Sequence, residues 1–524
     1  MLPEGRATAA ETCGDGARSP RDPSPRAILF SSVAAALARA PAVSDDGVAT
    51  TPAAELTELG AAEAVQRMVR GELKAERYAQ ALLERCHAGS ALNAFISIEP
   101  QRVLEAARDA DRQRQAGVPP GPLFGLPVPV KDSVNTRDYP TTAGTPALRG
   151  FRPAQDAPLV ARLRAAGAIV LGKTNLHELS YGWTSNNRAF GAVHNPYDPT
   201  RIPGGSSGGT AAAVAARMAP LGVAEDTEGS IRVPAAMCGL VGFRPTTGRY
   251  ATQGCVPISP LFDQVGPHAR SVTDAALFDS VAAADPAPLA ALAVQGVRIG
   301  VVRDYFFADL DANVERATER VLERLTRAGA VLIESRMPDL ARLIELTTDA
   351  VQNHDVRVAL ADYLEEQRAG VSFAEVVARA SADIQATFSR DVLPGGPGFV
   401  SEEAYAAARD RYLPALRRIY AEYFASTGVQ AMLLPATLVP PPRIGDEGPQ
   451  RAAARELPFD VAVARNIAPA STAGLPGLVL PAGLTPQGLP LAIELDGPSG
   501  ADRALLGLGR AVEALLDPMP APPL

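Results

Sequence analysis

Two serine-bearing segments contain the residue types that nucleophilic chemistry requires. In P-G-G-S-S-G-G, Ser206 and Ser207 lie between pairs of glycines, directly before an alanine-rich stretch over 210–219. Glycine permits close backbone approach and alanine favours helix, so the segment predicts a tight loop at a helix N-terminus. Amides and the positive helix end favour negative charge there. The second segment, Asp226 to Ser230, follows one short helix and one short strand, so it can fold back beside the first.

A glycine-rich turn before a helix has two other interpretations. One is a phosphate-binding loop, which requires Gly, four residues and then Gly-Lys-Ser/Thr. No lysine follows Gly209, so the sequence disfavours nucleotide binding. The other is a plain polar turn, and taken alone this segment does not exclude it.

A lysine about seventy-five residues upstream adds a candidate base. Lys131 ends the apolar run 126–130, which predicts a buried strand, and Pro127 and Pro129 place that strand at a sheet edge or at a strand start. Burying a lysine costs free energy unless it is paired or neutral. To act as a base its pKa must fall from roughly 10.4 to near 7. A lysine that reaches the surface or pairs with Asp132 is the alternative.

Taken together, these segments resemble the amidase signature family. The resemblance is carried by G-L-P-V-P-V-K-D at Lys131, P-G-G-S-S-G-G at Ser206, D-T-E-G-S-I-R-V-P-A at Ser230, and C-G-L-V-G-F-R-P-T-T-G-R over 238–249. It extends from about Glu55 to about Leu516. The segments T-T-A-G-T-P-A-L, L-G-K-T-N-L-H-E-L and N-P-Y-D-P-T-R-I-P-G-G are most similar to the indoleacetamide and mandelamide hydrolases of that family.

The resemblance implies a fold and a mechanism. The fold would be a single large α/β/α domain over residues 54–518, with a central mixed β-sheet flanked by helices. The site would be a Ser-cisSer-Lys triad, with Ser230 as nucleophile, Ser206 as the bridging serine after a cis peptide bond, and Lys131 as base. Such a triad activates a hydroxyl without a histidine. Neither a metal nor a cofactor is implied.

The resemblance also implies an oxyanion hole made by backbone N–H groups. These belong to Thr227, Glu228, Gly229 and Ser230. Family members commonly read G-T-D-x-G-G-S-I-R, whereas this chain reads A-E-D-T-E-G-S-I-R. A carboxylate beside a developing oxyanion would slow catalysis, so we expect Glu228 to point away, toward Arg232 or another cation. Asp226 is expected to pair with Arg232 and brace the loop.

The segment S-Y-G-W-T-S-N-N lies close to the active site in the resembled family. Tyr181 and Trp183 are therefore candidates for a substrate-binding aryl pocket, and core packing is the alternative. His177 and His194 could suggest a Ser-His-Asp triad. Neither histidine is required, because lysine and serine already provide a proton route.

The predicted function is hydrolysis of the C–N bond of a small, hydrophobic or aryl carboxamide to a carboxylate and ammonia or an amine. It would proceed through an acyl-enzyme on Ser230. Three alternatives stay open at this point: the amidase subunit of a tRNA-dependent amidotransferase, a member that cleaves esters or urethanes, and an inactive scaffold. The small-molecule amide is the expected partner, and a homodimer is left open.

The elements that must position these residues follow from hydrophobic periodicity. Helical spacing of apolar residues between Leu56 and Cys86 predicts two amphipathic helices. Later units of strand, helix and strand are typical of parallel connections. The predicted strands are 126–130, 168–171, 221–224, 297–302, 330–334, 431–434, 477–480 and 491–495, and further predicted helices are 101–115, 156–166, 313–328, 402–425 and 501–516.

Composition excludes several classes of protein. The 524 residues are 47% hydrophobic and 21% charged, which is ordinary for a globular protein. The net charge of −8, without a basic stripe, disfavours nucleic-acid binding. The four cysteines show no C-x-x-C spacing, which disfavours structural zinc and a disulfide framework. No segment is long enough to span a bilayer.

Residues 1–53 differ from the rest, being rich in Pro, Ala, Arg and Ser without periodicity. Within them, the apolar run 27–38 follows Arg21 and Arg26 and ends near A-R-A and A-P-A. This pattern resembles a degenerate export signal, and a disordered tail is the alternative. The expected location is cytoplasmic for a tail and exported or periplasmic for a signal.

Overall fold

The structure of the chain, a computed structural model, describes residues 52–523. The predictions for the N-terminal tail therefore fall outside the described residues, apart from Pro52 and Ala53, and the first helix already begins at Ala53. Over residues 52–523, no helix has both the length and the apolar character needed to cross a membrane.

Eleven strands form one sheet in the described part of the chain. In chain order they are β1 (Phe95–Ser97), β2 (Pro127–Lys131), β3 (Ile169–Thr174), β4 (Leu221–Asp226), β5 (Val241–Arg244), β6 (Gln264–Ala269), β7 (Arg298–Val301), β8 (Val331–Glu334), β9 (Ala431–Pro435), β10 (Gly477–Leu484) and β11 (Pro490–Asp496). Their order across the sheet is β1-β3-β2-β4-β6-β5-β10-β11-β9-β7-β8. Short hairpins pair Asn186–Asn187 with Gly191–Ala192 and Gln450–Ala452 with Arg455–Leu457.

The sheet is mixed, as the sequence predicted. Parallel pairs join β2 to β3 and β4 on one side, and β7 to β8 and β9 on the other. The strands between them, from β4 through β6, β5, β10 and β11 to β9, are paired antiparallel. The sheet thus joins two parallel units through an antiparallel centre.

Helices cover the sheet and its edges. They are α1 (Ala53–Glu58), α2 (Ala61–Arg70), α3 (Ala75–Ala88), α4 (Pro100–Gln115), α5 (Pro158–Ala165), α6 (Gly208–Ala215), α7 (Arg232–Met237), α8 (Val272–Ala282), α9 (Arg303–Phe306), α10 (Ala312–Arg327), α11 (Leu340–Glu345), α12 (Thr348–Glu366), α13 (Phe373–Arg379), α14 (Ala382–Thr387), α15 (Glu402–Ala407), α16 (Leu413–Thr427), α17 (Phe459–Ala464), α18 (Ala468–Ala473) and α19 (Asp502–Glu513). Short 3₁₀ turns lie at Ser90–Leu92, Pro146–Leu148 and Glu178–Ser180, and π-helical turns at Phe388–Val392 and Ala408–Tyr412.

The core lies on both faces of the sheet. On β10, Leu478 and Leu480 belong to a cluster that also contains residues of α1–α5, α8 and α19. Val479, between them, belongs to a second cluster with residues of α7, α10 and α17. Because successive side chains of a strand point to opposite faces, the two clusters lie on opposite sides of the sheet. This confirms the three-layer α/β/α arrangement.

One local prediction was wrong: three N-terminal helices are present instead of two, because Leu59 and Gly60 adopt extended backbone between α1 and α2. For the prolines of β2 the sequence left two positions open, a sheet edge or a strand start. The strand lies inside the sheet between β3 and β4, and Pro127 is its first residue, so the second position is the observed one. Its prolines are tolerated there because Pro127 begins the strand and β4 pairs with β2 only at Val130.

A buried ionic network ties the loop after β4 to the rest of the sheet. Asp226 Oδ2 lies 3.1 Å from Arg232 Nε, and its Oδ1 lies 3.1 Å from Arg244 Nη1. Arg232 also pairs with Glu494 on β11, and Ser471 Oγ donates to Asp226 over 2.8 Å. Burial disfavours the charged form of Asp226, but the two arginines outweigh it and hold its pKa below the usual value. The predicted pair of Asp226 and Arg232 is confirmed.

We expect Asp226→Ala to lower the free energy of unfolding by about 3–5 kcal/mol, because it leaves buried Arg244 without a carboxylate partner. Urea unfolding followed by circular dichroism measures this. Glu63→Ala, which removes the exposed pair with Arg67, is the control and should cost about 1 kcal/mol or less. Equal losses in the two variants would contradict the role given to the network.

Candidate active site

Lys131 is fully buried at the end of β2. Its Nζ lies 2.7 Å from Ser206 Oγ and 3.5 Å from Glu225 Oε2. The two alternatives for this lysine do not hold, since it neither reaches the surface nor pairs with Asp132. Asp132 instead lies 3.2 Å from the Nζ of a second buried lysine, Lys173. Lys131 is therefore aimed at the glycine-rich loop.

The loop that holds Ser206 is tightly packed before α6. The peptide bond from Gly205 to Ser206 is cis, as the resemblance implied. A Cβ on Gly205 would lie 2.7 Å from the carbonyl carbon of Trp183, so no larger residue fits at this position. The Ser206 carbonyl accepts hydrogen bonds from His177 N (3.0 Å) and Ser185 Oγ (3.2 Å). These contacts hold the Ser206 side chain against Lys131.

Ser230 lies between β4 and α7 and lines a cavity of about 640 Å³. Only 6% of Ser230 is exposed, and that surface faces the cavity. Lys131 and Ser206 are wholly buried and do not line it. No hydrogen bond joins Ser230 to Ser206 within residues 52–523, so the structure brings Lys131 and Ser206 into contact and leaves the Ser230 hydroxyl free toward the cavity.

Of the four backbone amides predicted to form the oxyanion hole, one already has an acceptor within the protein. Within the described chain, the N–H groups of Thr227, Glu228 and Ser230 donate to no other residue. The N–H of Gly229 donates to Asp226 Oδ1 over 2.8 Å. The prediction for Gly229 does not fit this geometry, because its donor is already used to brace the loop. The other amides stay available for an anion in the cavity.

Burial and a carboxylate act on Lys131 in opposite directions. Burial lowers the pKa of Lys131 below its ordinary value, since the charged ammonium loses its hydration. The nearby Glu225 carboxylate opposes this shift. Glu225 Oε2 also accepts from Ser133 Oγ over 2.5 Å, while its Oε1 has no partner in the described chain. Lys131 is thus a desolvated amine, and Glu225 is the strongest of the carboxylates that favour its charged form.

A second carboxylate supports the amide-bearing loop. Asp263 Oδ1 accepts from Thr227 Oγ1 over 2.6 Å, and its Oδ2 accepts from the N–H groups of Ile258 and Ser259. Burial, together with the charge of Glu225, raises the pKa of Asp263 to about 7. Asp263 therefore fixes the orientation of Thr227 at the start of the loop.

The expectation for Glu228 is wrong. Glu228 lines the cavity, and within residues 52–523 it forms no ion pair with a cationic side chain. Arg232, the expected partner, lies in the core and is bound by Asp226 and Glu494. Burial together with the charge of Asp349 raises the pKa of Glu228 well above its usual value, and the nearby Gln352 side chain opposes this shift.

Tyr181 and Trp183 both line the cavity, so the structure places them with Ser230. The Tyr181 hydroxyl donates to Asn353 Oδ1, and its ring packs edge-on against Phe388 at 5.0 Å between centroids. His177 lines the same cavity, but its Nδ1 lies 3.2 Å from Thr184 Oγ1. Burial lowers the pKa of His177 below its usual value.

Several residues of this site were not singled out from the sequence. Glu225 was visible only as a departure from the family pattern, and its distance from Lys131 required coordinates. Asp263 is brought to Thr227 by the antiparallel pairing of β4 with β6, in which Asp226 lies opposite Gln264. Asp349 and Asp460 reach the cavity from α12 and α17, more than one hundred residues later in the chain. No local motif marks such positions.

Comparison with known proteins identifies the family of the chain. The family model described as Amidase matches residues 77–506. The chain is 38% identical to an indoleacetamide hydrolase of Agrobacterium vitis, covering 87% of this chain and 97% of that protein. It is also 38% identical to a mandelamide hydrolase of Pseudomonas putida, covering 89% and 93%.

A solved structure shows the same architecture. The native peptide amidase of Stenotrophomonas maltophilia superposes with a TM-score of 0.73 at 30% identity, covering 89% of this chain and 98% of that one. The family match spans most of the chain, and the similar proteins hydrolyse amides. We therefore conclude that this chain belongs to the amidase signature family and is an amide hydrolase.

Proposed function

We propose that the protein hydrolyses the C–N bond of a small, hydrophobic or aryl carboxamide through an acyl-enzyme on Ser230. The observation that carries this proposal is the 2.7 Å hydrogen bond between Lys131 Nζ and Ser206 Oγ, deep to a cavity that Ser230 lines. A buried amine, a buried hydroxyl and an accessible hydroxyl in this arrangement are the parts of a proton route that ends at a nucleophile.

The route moves protons in two directions. As Ser230 Oγ attacks the amide carbon, its proton passes to Ser206 Oγ, which gives its own proton to neutral Lys131. When the C–N bond breaks, Ser206 protonates the departing nitrogen and takes a proton back from Lys131. This protonation matters because an amide anion is a very poor leaving group. Water then repeats the cycle on the ester and releases the carboxylate.

The negative charge on the oxygen of the tetrahedral intermediate must be stabilised by hydrogen-bond donors. The N–H groups of Thr227, Glu228 and Ser230 have no other acceptor in the described chain and lie on the loop that carries the nucleophile. Donors of this type typically contribute about 10²–10³ in rate each. The hydrogen bond from Thr227 Oγ1 to Asp263 and that from Gly229 N to Asp226 hold the loop in place.

The cavity wall and the relatives support the proposed substrate class. Tyr181, Trp183, Ile258 and Phe459 supply apolar and aromatic surface to the cavity. The similar proteins are an indoleacetamide hydrolase and a mandelamide hydrolase, both named for amides that carry a ring. We therefore propose that an aryl or other apolar group of the substrate packs against this wall.

We expect Ser230→Ala and Lys131→Met each to fold and to lose about 10³-fold or more in kcat/KM, since residues of one proton route act as a unit. The measurement is ammonia release from a panel of primary amides such as phenylacetamide. Ser426→Ala, at an exposed serine whose hydroxyl bonds only its own helix, is the matched control and should keep wild-type rates. Wild-type rates in Ser230→Ala would refute the assignment of the nucleophile.

The pH dependence provides a separate test of Lys131. Activity should climb with pH as Lys131 loses its proton, and a flat profile from about pH 5 to 9 would argue against a lysine base. Because the Glu225 carboxylate raises the pKa of Lys131, removing its charge should lower that pKa. We therefore expect Glu225→Gln to move the acid limb of the kcat/KM profile to lower pH.

A control variant tests whether a shift in the pH profile of Glu225→Gln is a nonspecific effect of replacing a glutamate. Glu456→Gln, at an exposed position on a hairpin, should leave the acid limb where it is in the wild type. A shift of the Glu225→Gln limb to higher pH would show that Lys131 is not the titrating base, because loss of a nearby negative charge cannot raise the pKa of an amine.

A further inference from the structure

The cavity at Ser230 is strongly acidic. Among the described residues, six carboxylates line it and only one arginine, Arg390, does so. The carboxylates are Glu228, Asp349, Asp383, Asp391, Glu447 and Asp460. An excess of one charge in a concave site selects ligands of the opposite charge. The question is which of these carboxylates already have partners.

Among the described residues, two of the six form ion pairs with an arginine, and a third is hydrogen-bonded to an amide that does not line the cavity. Asp391 pairs with Arg390 at 2.7 Å, and Asp383 pairs with Arg188 at 3.3 Å. Glu447 accepts a hydrogen bond of 3.1 Å from the side-chain amide of Asn186. Glu228, Asp349 and Asp460 form no ion pair within residues 52–523. We call these three residues the acidic triplet.

The members of the acidic triplet act on one another. The side-chain amide of Gln352 donates to Asp349 Oδ1 over 3.1 Å, and Gln352, Asp349, Asp460 and Glu228 all line the same cavity. Burial and the charges of Asp349 and Asp460 raise the pKa of Glu228, and burial and Asp460 raise that of Asp349. One neutral amide does not balance three carboxylates, so a bound cation would relieve their repulsion.

The triplet lies close to the reacting group. Glu228 is two residues before Ser230, so their Cα atoms are at most about 7 Å apart. Tyr181 and Trp183 line the same cavity, and aromatic faces attract cations. A ligand that carries both a ring and a positive charge therefore matches the two kinds of surface that the cavity offers beside the nucleophile.

We propose that the acidic triplet binds a protonated amine of the substrate, so that the enzyme prefers aryl or apolar carboxamides that carry an ammonium group near the scissile bond. This inference rests on the proposed function of Ser230. It also assigns a role to the Glu228 side chain, which occupies a position where the resembled family commonly has glycine. Amides with an additional carboxylate would be rejected by the same charges.

The test compares two amides that differ only in the amine. Phenylalaninamide carries an ammonium group at about pH 6.5, whereas 3-phenylpropionamide is its neutral counterpart. We expect the wild type to show a kcat/KM ratio of about 10 to 100 in favour of the amine, which corresponds to one charge-assisted hydrogen bond. Because both amides are measured at the same pH, the protonation state of Lys131 affects both rates equally and cancels in the ratio.

Variants show whether the triplet produces the preference. Glu228→Gln and Asp349→Asn keep the shape of each side chain and remove its charge, so each should reduce the ratio about 10-fold, mainly through a higher KM for phenylalaninamide. Glu403→Gln, at an exposed carboxylate that does not line the cavity, is the matched control and should leave the ratio unchanged. A ratio near one in the wild type, or an unchanged ratio in both cavity variants, would overturn the inference.

The same experiment separates this inference from the proposed function. Hydrolysis of 3-phenylpropionamide that is lost in Ser230→Ala supports the nucleophile, whatever the ratio shows. If the wild type hydrolysed neither amide, the proposed function would fail, and calorimetric binding of phenethylamine and 2-phenylethanol would decide the inference. Tighter binding of the amine that is lost in Glu228→Gln would support it, and equal binding of the two ligands would refute it.

Discussion

The contact on which the site depends is the hydrogen bond between a fully buried lysine and a fully buried serine hydroxyl. Lys131 Nζ and Ser206 Oγ are 2.7 Å apart where water has no access. Desolvation favours the neutral amine, while Glu225 at 3.5 Å favours the charged one. The balance between these opposed effects sets the pH at which the lysine can accept a proton. A lysine in the same contact at the surface would stay protonated.

The surrounding fold holds this contact and Ser230, the proposed nucleophile, in one place. β2 delivers Lys131, the loop before α6 delivers Ser206, and the turn from β4 to α7 delivers Ser230. Because β2 and β4 are parallel neighbours, their C-terminal ends lie at the same edge of the sheet, where crevices for ligands form. The ionic network around Asp226 stabilises the conformation of the turn that carries Ser230. The Gly229 N–H belongs to this network because it donates to Asp226 Oδ1.

The cavity has a chemical character that the proton route alone does not explain. Aromatic side chains line it, and three of its carboxylates form no ion pair in the part of the chain that the structure describes. Glu228 belongs to both the amide-bearing loop and the acidic wall. It lines the cavity, whereas Arg232, the nearest arginine along the chain, is bound by Asp226 and Glu494 in the core. The proposed nucleophile and the proposed selectivity residue therefore lie within three consecutive residues of one loop.

Local sequence was sufficient for the features that depend on neighbouring residues. The strand that ends at Lys131, the loop at Ser206, the helix after it and the pairing of Asp226 with Arg232 all follow from periodicity, glycine placement and family resemblance. Long-range contacts were not readable in this way. The interior position of β2, the engaged amide of Gly229, and the convergence of Glu228 with Asp349 and Asp460 arise from strands and helices that are distant in the chain. Their packing places charges together that no short segment contains, and so the electrostatics of the cavity became visible only in the folded chain.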